Sequence, residues 1–187
     1  MSENRQTYPV EVAGVKRDLP KFEVAPGVTI AILNILGDTE FVTACAKELA
    51  AKLGDVDYDV LVTAEAKSIP LIHALSVETG KPYAVLRKSY KAYMGETISS
   101  ETVSITTQQR QTLHLDEKDQ ALVKGHKVVL LDDVVSTGST QKGMRAVMEQ
   151  AGAEIAAEAA IFTEGESTQW AGFISLGNLP VWVEDTN

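Results

Sequence analysis

VVLLDDVVSTGST, running from Val128 to Thr140, is the stretch from which the rest of the chain is best read. Four aliphatic residues lead into two adjacent acids, Asp132 and Asp133, then two valines, then small hydroxyl residues around Gly138. A continuous apolar run rather than an alternating one marks a strand covered on both faces, as in a parallel sheet between helices. Two like charges at the end of such a strand need a purpose beyond solvating a turn. Carboxylates accept hydrogen bonds from vicinal hydroxyls and attract a hydrated divalent cation. The residues that follow, Ser136, Thr137, Gly138, Ser139 and Thr140, read as a strand-to-helix loop. In such a loop, hydroxyls and backbone N–H groups converge on an anion at a helix N-terminus. Acids followed by an anion loop suit a sugar 5-phosphate better than a bare phosphate.

Outward from this strand the pattern repeats. DTEFVTACAKELAAKL (38–53) has the apolar spacing of a helix, with Asp38 or Thr39 as its cap and Gly54 as its stop. YDVLVTA (58–64), PYAVLR (82–87) and AEIAAEAAIF (153–162) read as strands, and 68–80 and 139–150 as helices. Strand–helix–strand units with continuous apolar strands predict an α/β fold, a central parallel sheet with helices on both faces. Ligands in such folds lie beyond the carboxyl ends of the strands. TAEAKS, RKSYK and the STGST loop all sit there. The interval 90–119 breaks the alternation and reads as an antiparallel excursion acting as a lid. Segments 1–37 and 163–187 also lie outside it, and are expected to form a small cap over a core of 38–162 within a single domain.

Composition excludes several classes. The chain has 187 residues, 44% hydrophobic and 23% charged, ordinary for a globular protein. A net charge of −9 argues against non-specific nucleic-acid binding, which depends on neutralising phosphates. There is no membrane-length apolar run and no secretory pattern at the N-terminus, and the single cysteine, Cys45, forms no internal disulfide; a cytoplasmic protein is expected. Neither G-x-x-x-x-G-K-[ST] nor G-x-G-x-x-G occurs, which speaks against an ATP loop and a dinucleotide site. His73, His114 and His126 show no metal-ligand spacing. Trp170, Phe173 and Trp182 are expected to pack the cap or a subunit interface.

VVLLDDVVSTGST resembles, at every position, the phosphoribosyl-pyrophosphate (PRPP) signature of the type I phosphoribosyltransferases. LPKFEVAPGVTIAILNILGDTEF and TAEAKSIPLIHALSVETGKPYAVLRK are similar to the adenine members of that family. The resemblance implies a Rossmann-like fold with a hood and a flexible antiparallel loop, Mg²⁺ bound with PRPP, a purine base as second substrate, and a homodimer. It assigns Asp132 and Asp133 to the ribose and residues 136–140 to the 5-phosphate. Glu65, Ala66, Lys67 and Ser68 fall on the family's pyrophosphate loop, with Glu65–Ala66 at its frequently cis peptide; Arg87, Lys88 and Lys91 place positive charge near the leaving diphosphate. Glu101, in SSETVSITT, matches an acid of the closing loop.

The base is less sharply marked. Ser136 stands where hypoxanthine-guanine enzymes carry an Asp facing N7, which favours adenine or xanthine. Thr29, Ile30 and Ala31 occupy the base-facing segment, yet adenine enzymes place an aromatic and an Arg at the second and third positions, and Phe162 offers a ring from the other side. The expected activity is transfer of the 5-phosphoribosyl group from PRPP to adenine, giving AMP and pyrophosphate in purine salvage. The alternatives are transfer to xanthine or another base, or a PRPP-binding regulator of purine metabolism. Purine-operon repressors share the signature but carry an additional DNA-binding domain, for which segment 1–37 is short.

Overall fold

The computed structural model describes residues 6–103 and 110–184. The chain opens with β1 (Thr7–Val12), β2 (Val15–Ala25) and β3 (Val28–Ala31), then α1 (Thr39–Lys52), β4 (Val60–Ala64), α2 (Ile69–Thr79) and β5 (Tyr83–Leu86). β6 (Ile98–Val103) and β7 (Arg110–Leu115) precede α3 (Glu117–Val123). There follow β8 (Lys127–Val135), α4 (Ser139–Ala151), β9 (Glu154–Glu164), β10 (Ile174–Leu179) and β11 (Val181–Val183). Five strands form the central sheet in the order β10-β9-β8-β4-β5, with every neighbouring pair parallel. The expected α/β class and its parallel sheet are both present. Among the described residues, no helix is long and apolar enough to cross a membrane.

Successive strand residues point to opposite faces, and the sheet uses both. Leu61, Val129 and Leu131 face one layer, where Phe41, Cys45 and Leu49 of α1 and Leu71, Ile72 and Leu75 of α2 are buried. Val60, Val62, Val128 and Leu130 face the other, against Met144, Val147 and Met148 of α4. This two-sided burial is why VVLL shows no alternation. Burial pushes the Cys45 thiol up to about 12, so it packs as a small apolar group. β9 is a strand despite its alanines: its position between β8 and β10 overrides helix propensity.

The terminal segments divide. β1, β2, β3 and β11 form a separate antiparallel sheet, in which Trp182 meets Tyr8 edge-on and lies under the Lys21 ammonium. β10, however, extends the parallel sheet, with Leu179 fully buried and Gly177 paired with Phe162. The segment after 162 therefore serves both sheets, where the sequence suggested the cap alone. Within the excursion, β6 and β7 pair antiparallel as expected, and β6 lies against α4. The 104–107 part of SSETVSITT falls outside the described residues. α3 was not foreseen; its N-cap, Asp116, accepts from the Lys118 N–H at 3.2 Å.

Arg17 of β2 staples the terminal sheet to the core. Its guanidinium meets both oxygens of Asp38, at 2.6 and 2.8 Å, and Glu40 at 2.8 Å. Asp38 caps α1 by accepting from the Phe41 N–H at 3.2 Å. Arg17 holds the Asp38 carboxyl below its ordinary range. Asp38→Ala is expected to cost about 1 kcal/mol, the usual worth of an N-cap. Because the folded-state pKa is depressed, that difference is complete above pH ~4 and disappears as pH falls through the folded value. Denaturant unfolding of both proteins at pH 7 and pH 3 reads it; an equal difference at both values would contradict the assignment.

Candidate active site

The strand order reverses between β4 and β8: β4 connects outward to β5, whereas β8 connects the other way to β9 and β10. A crevice opens at such a switch point, beyond the carboxyl ends of the two strands. Here it is a cavity of about 150 Å³ lined by Ala64 at the end of β4 and residues 65–68 after it, Lys88 after β5, residues 132–134 of β8, and Thr140. The three segments singled out in the sequence meet in this crevice.

Asp132 and Asp133, adjacent in sequence, share the Ser68 hydroxyl but differ in their other partners. Asp132 takes the Gln141 Nε2–H of α4 on its Oδ2 at 2.9 Å. Its Oδ1 accepts from the Ser68 hydroxyl and from the Asp133 N–H, both at 2.9 Å. Asp133 is 7% exposed, and its Oδ1 lies 3.1 Å from the same Ser68 hydroxyl. Ser68 in turn accepts the Asp133 N–H at 2.9 Å. This explains why Ser68, although at the N-cap of α2, makes no capping bond with its side chain. Asp133 Oδ2 is the one buried side-chain polar atom among the described residues without a hydrogen-bond partner. The Lys67 ammonium stands 3.5 Å from it, near enough for charge attraction but too long for a good hydrogen bond. Burial, and next the Asp133 charge, push the Asp132 carboxyl well above the ordinary carboxylate range.

On the other wall the Glu65–Ala66 peptide is cis. Glu65 ties its loop to the end of β5: it accepts from Arg87 Nε and from the Lys88 N–H, each at 2.6 Å. Arg87 is thus committed to Glu65, which raises its pKa, and it does not line the crevice. Lys67 and Lys88 are the cations that do. Lys67 also reaches the Leu33 carbonyl at 3.4 Å. Lys91 lies beyond, at the foot of a 3₁₀ turn (Ala92–Met94), with its side chain exposed.

Gly138 ends the loop at φ +72°, in the left-handed region that favours glycine, and α4 starts at Ser139. Thr137 and Ser139 are linked through their hydroxyls at 3.1 Å. The outer side of the loop is closed by Trp170, whose ring lies 3.5 Å from where a Gly138 Cβ would stand. Trp170 is held by its own Nε1–H on the Glu164 carbonyl, at 2.8 Å, and by Phe173 edge-on. Below it, Arg145 of α4 pairs with Glu158 of β9, fixing the helix against the sheet. Sequence reasoning missed Gln141 and this pair, and assigned Trp170 to the cap or a subunit interface rather than to the side of this loop. No motif singles out Gln141, though an amide one turn into α4 on the Asp132 side was a usable hint.

The remaining candidates are more scattered. Thr29, Ile30 and Ala31 form β3 in the terminal sheet, paired to β2 and β11. Phe162 is 4% exposed and belongs to the core, its ring against Gly177. Glu101 is exposed on β6, opposite Thr112, and is not among the residues lining the crevice.

The sequence is similar to those of phosphoribosyltransferases from several organisms. The adenine phosphoribosyltransferase of Thermosipho africanus is 32% identical over 75% of this chain and 80% of its own. A hypoxanthine/guanine phosphoribosyltransferase of Methanobacterium lacus is 37% identical over 65% of this chain and 60% of its own. The fold matches that of an adenine phosphoribosyltransferase from Trypanosoma brucei, solved with AMP, pyrophosphate and ribose-5-phosphate; the TM-score is 0.65 at 20% identity, over 77% of this chain and 67% of that one. Residues 34–170, which contain every wall of the crevice, match the model of the phosphoribosyl transferase domain, and the chain belongs to that family.

Proposed function

We propose that this chain transfers the 5-phosphoribosyl group of PRPP to a purine base, with adenine as the preferred acceptor, giving AMP and pyrophosphate. The observation that carries the proposal is the buried Asp133 Oδ2 without a hydrogen-bond partner, set in a crevice between an anion loop and two lysines. A ribose hydroxyl supplies the missing donor there. Residues 136–140 receive the 5-phosphate at the start of α4, while Lys67, Lys88 and the backbone of residues 65–68 face pyrophosphate. No side chain serves as nucleophile. The protein positions the two substrates and favours charge separation as the bond from C1′ to pyrophosphate breaks and the bond to the base nitrogen forms. Closure of the excursion, with Glu101 on its first strand, excludes water.

Among the described residues no group of three or more His, Cys, Asp and Glu is placed to hold a metal. The unsatisfied Asp133 oxygen and neighbouring Asp132 nevertheless fit Mg²⁺ that arrives on PRPP and is held through water. Bound in this way, Mg²⁺ offsets negative charge on the departing diphosphate. A homodimer, implied by the family resemblance, is part of the proposal, and sedimentation reads it.

Two residues bear on the base. Ser136 puts a hydroxyl where hypoxanthine-guanine enzymes carry a carboxylate, which supports adenine or xanthine. Ile30 gives adenine no aromatic face, which supports the alternative of xanthine or another base. Incubation with PRPP, Mg²⁺ and each base in turn decides: AMP and pyrophosphate are expected from adenine. Turnover with xanthine, hypoxanthine or guanine alone would overturn the choice of base, and no turnover with any base would overturn the enzyme.

A further inference from the structure

Gln141 is a polar side chain 5% exposed in a helix that otherwise buries Met144, Val147, Met148 and Ala151. A buried amide is costly unless its donors and acceptors are engaged. Its Nε2 goes to Asp132 Oδ2 at 2.9 Å, from one turn into α4 across to the end of β8. With Ser68 and the Asp133 N–H on the other oxygen, Asp132 is gripped from three directions. Asp133 has no such grip on its Oδ2. The two acids are therefore unequal: one is fixed by the chain, the other keeps an acceptor open.

We infer that Gln141 is a positioning residue for the sugar: it sets the rotation of the Asp132 carboxylate, so that the remaining acceptor position on Oδ2 is presented to a ribose hydroxyl beside Asp133. This deepens the proposed function and rests on it. A carboxylate oxygen accepts more than one hydrogen bond, so the amide orients Oδ2 without filling it. Ser68 does the same for Oδ1 from the start of α2. The residues therefore clamp Asp132 from α2 on one face of the sheet and α4 on the other, and each clamp depends on the other to hold the plane of the carboxylate.

The test measures PRPP and pyrophosphate binding, each with Mg²⁺, by calorimetry. The proteins are wild type, Gln141→Met, which keeps the volume but removes the donor, Ser68→Ala, and the double variant. Gln141→Met is expected to weaken PRPP binding about tenfold, the loss of one hydrogen bond to a charged group. Its pyrophosphate affinity is expected to stay within about twofold of wild type, because that ligand has no ribose to orient. The double variant is expected to lose less than the product of the single losses, since both side chains act on one carboxylate. Wild-type PRPP affinity in Gln141→Met would overturn the inference and leave the proposed function standing. Equal weakening of both ligands would reduce Gln141 to general packing and likewise overturn it. If wild type itself binds no PRPP, the proposed function and this inference fail together.

Discussion

Asp133→Asn is expected to lower kcat/KM for PRPP by about two orders of magnitude, the scale on which a positioned charged partner contributes to a reacting centre. The amide keeps the shape of the side chain but removes the charge facing Lys67 and the developing sugar cation. Loss of folding is not expected to be the cause. Asp133 sits beside Asp132, whose carboxyl is raised first by burial and then by this neighbour, so the variant relieves a repulsion. An acid whose folded-state pKa is raised costs nothing below its unfolded value, and the cost grows as pH rises toward the folded one. The variant should therefore match or exceed wild type in melting temperature at pH 8, with any advantage shrinking as pH falls toward ~4. Initial rates and thermal melts on the same preparations check both halves. Unchanged kinetics would remove Asp133 from the site, and a lower melting temperature at pH 8 would show that its bonds matter more than the repulsion.

Glu65→Ala is expected to produce the second largest loss, although Glu65 does not itself need to touch a ligand. Its carboxylate joins Arg87 and the Lys88 N–H, and so fixes one wall of the crevice to the end of β5. Arg87 and Glu65 are 34% and 19% exposed, so solvent reduces what these charge-assisted bonds contribute to about 2 kcal/mol for the pair, and losing it is expected to cost about thirtyfold in kcat/KM. The freed Arg87 also changes the charge near that wall. Glu65→Gln, which keeps an acceptor for the Lys88 N–H, should recover part of the activity. If the alanine variant retains more than about half the wild-type rate, the carboxylate is not what holds the loop in place.

The elements that were legible in the sequence are those whose signal is local. VVLLDD announces a doubly covered strand because both neighbours are fixed by its apolar content; Asp38, Ser139 and Gly152 mark helix ends through backbone chemistry within a turn. The crevice was legible because each wall follows a strand. What stayed hidden depends on contacts distant in sequence. Gln141 gains its meaning from an acid nine residues away. The commitment of Arg87 to Glu65 spans 22 residues and turns an apparent free cation into half of an ion pair. β10 lies within 163–187, assigned as a whole to the cap because it falls outside the strand–helix alternation; its pairing with β9, set by tertiary contact, is what places it in the central sheet.

The walls of the crevice come from residues 64–68, 88, 132–134 and 140, and the terminal sheet β1-β2-β3-β11 supplies none of them. The two bodies are joined by apolar packing and by a few polar ties, Arg17 to Asp38 and Glu40, and Lys67 to the Leu33 carbonyl. The crevice is thus built by the core alone, although one buried apolar cluster runs through both bodies. A hood taken from another member, matched in size where Val12, Leu19 and Ala31 meet the core, leaves every one of those wall residues in place. Only the choice of base, which the proposal divides between Ser136 of the core and Ile30 of the terminal sheet, would have to be settled by both bodies together.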